Sequence, residues 1–83
     1  MRLLLAEDER ILSDALVTML THSNYSVDAV YDGQDALDYL RTGDYDGAVL
    51  DIMMPKMDGV TVVKKVREEG LTLPILLLTA KSQ

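Results

Sequence analysis

Three short, almost unbroken apolar runs recur along the chain: Leu3 to Ala6, Gly47 to Leu50 and Ile75 to Leu78. A strand with one wet face alternates apolar and polar residues, whereas a continuous run means that both faces are dry. Parallel sheets flanked by helices produce that situation. Val27 and Ala29, with Tyr25 before them, alternate with polar residues instead and suit a half-exposed strand at the sheet edge. Four strands are therefore expected.

Helical spacing fills the gaps between them. Ile11, Leu12, Ala15, Leu16, Met19 and Leu20 form one stripe, Ala36, Leu37 and Leu40 a second, and Val62, Val63 and Val66 a third. Asp32 and Asp58 are the expected N-caps, Gly43 and Gly70 lie just past the C-termini, and Pro74 opens the last strand. Strands alternating with helices in this order make right-handed crossover units on a parallel sheet, in the α/β class. After the fourth strand only Ala80-Lys81-Ser82-Gln83 remain, so residues 1–83 are expected to form one domain that is incomplete, with four strands and three helices.

Composition narrows the function. Fourteen acidic against eight basic side chains give a net charge of −6, which argues against direct contact with nucleic-acid phosphates or anionic membranes. Without cysteine there is no disulfide, thiolate ligand or thiol nucleophile. The opening apolar run stops at Glu7, short of a signal peptide core, and no run approaches the roughly 20 apolar residues that span a bilayer. The chain reads as cytosolic.

All strands of a parallel sheet end on one edge, and ligands bind there. Glu7 and Asp8 follow the first strand, Asp51 the third and Thr79 the fourth, so three carboxylates and a hydroxyl gather on one rim. Acids after a strand also commonly cap the next helix, and that reading stands beside the chemical one for Glu7 and Asp8. If the three acids do share a site, their repulsion calls for a counter-charge. An all-oxygen set without His or Cys suits a hard cation, with magnesium favoured where phosphate is handled. A carboxylate beside magnesium can attack a phosphoryl group, and Asp51, alone at its strand end, is the candidate nucleophile. Thr79 can donate to a phosphoryl oxygen.

Other candidates fare less well. Met53, Met54 and Met57 in the stretch Asp51-Ile52-Met53-Met54-Pro55-Lys56-Met57-Asp58-Gly59 read as packing residues, since thioethers are soft ligands. His22 reads as a solvated helix end rather than a phosphodonor, and Lys64, Lys65 and Arg67 as a solvated face.

With these motifs in place the sequence resembles the receiver domain of bacterial two-component response regulators. The resemblance rests on Leu3-Leu4-Leu5-Ala6-Glu7-Asp8-Glu9, on Asp51-Ile52-Met53-Met54-Pro55 with Asp58-Gly59, and on Leu77-Leu78-Thr79-Ala80. It implies a flavodoxin-like doubly wound sheet, phosphorylation on Asp51, and magnesium held by Asp8, Glu7, Asp51 and the backbone carbonyl of Met53. It also implies a switch role for Thr79 and a sensor histidine kinase as donor, docking near Ile11, Asp14, Ala15 and Thr18. Such a module accepts a phosphoryl group and is not a turnover enzyme. The family pattern continues with a further helix, a fifth strand bearing a lysine, and a last helix, none of which this sequence contains.

Two other functions are open at this point. One is an aspartate-nucleophile phosphohydrolase, which usually places a second acid two residues after the nucleophile. Here that position is Met53. The other is a self-assembling fragment without phosphoryl transfer. An uncovered sheet face and an unpaired edge at Ile75 to Leu78 lead to the expectation of a homodimer or higher oligomer.

Overall fold

The computed structural model describes residues 1–78. The elements follow the expected order: β1 (Arg2–Ala6), α1 (Arg10–His22), β2 (Ser26–Val30), α2 (Gly33–Thr42), β3 (Gly47–Asp51), α3 (Gly59–Glu68) and β4 (Ile75–Leu78). All four strands are parallel, in the order β2-β1-β3-β4. The chain runs outward from β1 to β2, then returns across β1 to lay down β3 and β4. Strand order thus reverses between β1 and β3, and the crevice between their carboxyl ends is where such sheets bind ligands.

The main core lies on one face of the sheet, where Leu4, Ala6, Val30, Ala48 and Leu50 meet Ala36, Leu37 and Leu40 of α2 and Val62 and Val66 of α3. Two of these helices are capped as expected: the Asp32 side chain accepts the Asp35 N–H at 2.8 Å, and Asp58 accepts the Thr61 N–H at 2.8 Å. Gly70, at φ +85°, takes the left-handed conformation that ends α3. Gly43 is extended instead, and it is glycine because a Cβ there would strike the Tyr45 ring.

Helix α1 packs alone on the other face, against β1 and β2. Its orientation corrects the expected stripe. Ser13 is its one buried residue, flanked by half-buried Leu16, Val17 and Leu20, while Ile11 is 82% and Met19 65% exposed and Leu12 and Ala15 face outward as well. Apolar residues occupy more than half of this helix's circumference, so periodicity alone does not choose the inward face. A small residue at the contact does, because it lets the helix axis approach the strands. The Ser13 hydroxyl finds no protein partner there.

At the amino ends of the strands, acids meet cations. Arg2 pairs with Asp28 at 2.9 Å, and the Tyr45 hydroxyl donates to the same carboxylate at 2.6 Å. Burial and then the Asp28 contact push the Tyr45 phenol up to about 12. On α2, Arg41 holds Glu69 at 2.6 Å.

Candidate functional site

The carboxyl ends of the strands present the opposite picture. Because Ala6 is in register with Leu50 across the β1–β3 pair, the next residues, Glu7 and Asp51, emerge side by side. Asp8 follows at once, and one carboxylate oxygen from each of the three acids falls within a sphere of mutual distances no longer than 4.8 Å. Glu7 is 4% exposed and Asp51 9%, while Asp8 is open to solvent. Among the described residues no cation pairs with any of them. The three acids predicted to share a rim do share it.

The capping reading of Glu7 holds. Its carboxylate accepts the Glu9 N–H at 3.0 Å and so caps α1, whose N-cap residue makes no side-chain bond of its own. Burial raises the Glu7 pKa above the usual carboxylate value, the Glu9 bond opposes that shift, and the charges of Asp51 and Asp8 reinforce it. The sign follows. A carboxyl that binds its proton more tightly folded than unfolded favours folding below its ordinary value of 4.5, and that contribution is lost as the pH rises through the raised value. At neutral pH burial of the ionised Glu7 carboxylate therefore opposes folding.

The loop from Ile52 to Asp58 connects the site to α3. Its ends are closed by the Gly59 N–H, which donates to the Ile52 carbonyl at 2.8 Å. Met54 and Met57 pack against the core as expected, but Met53 does not: its side chain is 66% exposed. Thr79 lies outside the described residues.

Several contacts around the rim had no counterpart in the sequence reading. The Arg10 guanidinium stacks on the Tyr31 ring with 3.5 Å to its centroid, Lys56 Nζ lies 3.6 Å from the Asp32 carboxylate, and the Gly33 N–H donates to the Pro55 carbonyl at 3.2 Å. Each joins residues more than twenty positions apart, and only the Asp-Gly pair at 32 and 33 carried a local signal, that of a helix start. The exposed His22 stands at the end of α1, away from this rim, as its helix-end reading required.

The donor set fits a hard divalent ion. It offers only oxygen, it is compact, and it lacks a protein counter-charge among the described residues. An acid two residues beyond Asp51, as the phosphohydrolase reading wants, is replaced by exposed Met53.

Known proteins agree with this geometry. The family model of the response regulator receiver domain matches residues 3–83. The transcriptional regulatory protein DltR of Streptococcus agalactiae is 53% identical over 83 residues, which are all of this chain and 37% of that protein. TctD of Salmonella typhimurium is 52% identical over 82 residues, again 37% of its length. The chain thus spans little more than a third of these relatives. Among solved structures, the receiver domain of the Francisella response regulator 1452 superimposes with a TM-score of 0.94 at 28% identity, covering 99% of this chain and 68% of that one. TrrA of Thermotoga maritima, solved in complex with Mg(2+)-BeF, gives a TM-score of 0.91 at 34% identity over 98% of this chain and 70% of that one. The chain belongs to the response regulator receiver domain family.

Proposed function

We propose that the chain is a phosphoacceptor module in which Asp51 takes a phosphoryl group from the phosphohistidine of a sensor histidine kinase. The observation that carries this reading is the cluster of Glu7, Asp8 and Asp51 at the strand-order reversal. An Asp51 oxygen forms the new O–P bond as the N–P bond to the donor imidazole breaks, and the imidazole takes up a proton as it leaves. Glu7 and Asp8, with the Met53 carbonyl, hold magnesium, which when bound offsets charge on the transferring oxygens. Thr79, following β4 in sequence, is assigned the phosphoryl contact and switch role. The chain accepts a group rather than turning over substrate, and the same reading places it in the cytoplasm. Its acidic balance assigns DNA contact to other parts of a regulator such as DltR.

Incubation with magnesium and acetyl phosphate, followed by intact mass, is expected to give one stable phosphoryl addition. Asp51→Ala is expected to show none. Label persisting in that variant would move the acceptor elsewhere, and fast donor hydrolysis without a stable adduct would favour a phosphatase.

Self-association belongs to the same reading. β4 is the outer strand of the described sheet, and Leu76 on it is 61% exposed. An unpaired edge beside apolar surface favours a second copy. Light scattering at micromolar concentration is expected to report a dimer or larger species, and a compact monomer would refute this part.

A further inference from the structure

The loop that carries Met53 is held in part by another element. Its centre is a three-residue turn: the Met57 N–H donates to the Pro55 carbonyl at 2.8 Å, with Lys56 between them at φ +70°. A three-residue turn closed this way with a positive φ at its centre is the strained form of the γ-turn, which a lysine does not favour. Such a conformation persists only where the surroundings over-determine it.

The first turn of α2 supplies those surroundings. The Asp32 carboxylate faces Lys56 Nζ at 3.6 Å, and the Gly33 N–H donates to the same Pro55 carbonyl that closes the turn. No side chain fits between the two segments. A Cβ on Gly33 would lie 2.5 Å from the Met57 carbonyl carbon and 2.7 Å from its Cβ, with the carbonyl oxygen nearer still. Gly33 does not take a positive φ, so space rather than backbone freedom demands glycine here. At the far end of the loop, a Cβ on Gly59 would collide with the Asp51 carbonyl. Met53 therefore sits on a short segment fixed at two points, one against β3 and one against α2.

We propose that Gly33 is a positioning residue for the metal centre: by letting α2 close on the strained turn, it sets where the Met53 carbonyl lies relative to Glu7, Asp8 and Asp51. This rests on reading the cluster as a magnesium site. A displacement of the turn moves a ligand without changing any ligand's identity, as loss of an outer-shell support does in other metal sites.

The test is titration with magnesium chloride alone, followed by amide NMR shifts, of the wild-type chain, Gly33→Ala and Leu40→Ala. Leu40 lies in the core on the same helix, 3% exposed and seven positions beyond Gly33, so its truncation lowers stability at a distance from the Gly33 contact. Gly33→Ala is expected to raise the Kd about tenfold, and Leu40→Ala to lower Tm with Kd unchanged. Equal Kd in wild type and Gly33→Ala overturns the proposal, and so does a parallel rise in Leu40→Ala. Failure of the wild type to bind magnesium is a different result, which removes the metal-centre reading itself. If Gly33→Ala does not fold, Lys56→Met carries the test: a Kd raised roughly two- to threefold supports the clamp, and an unchanged Kd overturns it.

Discussion

Asp8→Ala is expected to weaken magnesium binding by roughly tenfold to a hundredfold, since it deletes a charged oxygen ligand from a small set, while making the metal-free chain more stable. The two effects share one cause. Three carboxylates stand within 4.8 Å without a described counter-charge, and like charges about 4 Å apart repel by about 1 kcal/mol even in bulk water. Asp8 is the exposed member, so its removal relieves part of the repulsion and leaves no buried group without a partner. A gain of a few tenths to about 1 kcal/mol follows, shrinking as salt screens the charges.

The opposite signs make this prediction discriminating. An ordinary surface acid would change neither quantity, and a purely structural acid would lower stability on removal. Asp44→Ala, at the other end of the sheet, serves as the control and should leave the Kd unchanged. Magnesium titration and urea denaturation with and without the ion measure both effects. Unchanged affinity in Asp8→Ala would remove it from the metal site.

The placement of Glu7, Asp8 and Asp51 was legible in the sequence because it follows from topology. Buried runs mark strands, parallel strands end on one edge, and the residues after two neighbouring strands must meet. What was not legible depends on packing in three dimensions. The inward face of α1 turned on Ser13, a polar residue that hydrophobic periodicity passes over. Met53 was grouped with Met54 and Met57 as a packing residue, yet its position in the loop turns it to solvent. The bond from the Gly33 N–H to the Pro55 carbonyl joins backbone to backbone across 22 positions, and backbone leaves no residue-type pattern to read. The resemblance supplied roles for these acids that spacing alone left open, since Glu7 also caps α1.

Leu50→Ala is expected to cost 2–5 kcal/mol, the range for truncating a fully buried leucine, whereas Leu76→Ala, measured on the monomer at a concentration below that of self-association, should change stability by less than about 0.5 kcal/mol. Both are leucines on neighbouring strands of the same sheet, so the contrast isolates the face each occupies. Leu50 is wholly buried beneath α2 and α3, on β3, which has a strand on either side. Leu76 pairs in register with Val49, whose side chain points to the opposite face from Leu50, and there α1 covers only β1 and β2. For a chain of 83 residues, about 0.05–0.15 kcal/mol per residue makes a total stability of about 4–12 kcal/mol, so one such cavity removes a large share of it. Leu50→Ala should therefore unfold at a markedly lower urea concentration without magnesium, and be partly rescued by it, because an ion that binds only the folded state adds stability by mass action. Urea midpoints with and without magnesium read all of this. Comparable losses in the two variants under those conditions would mean that Leu76 is buried within the monomer after all.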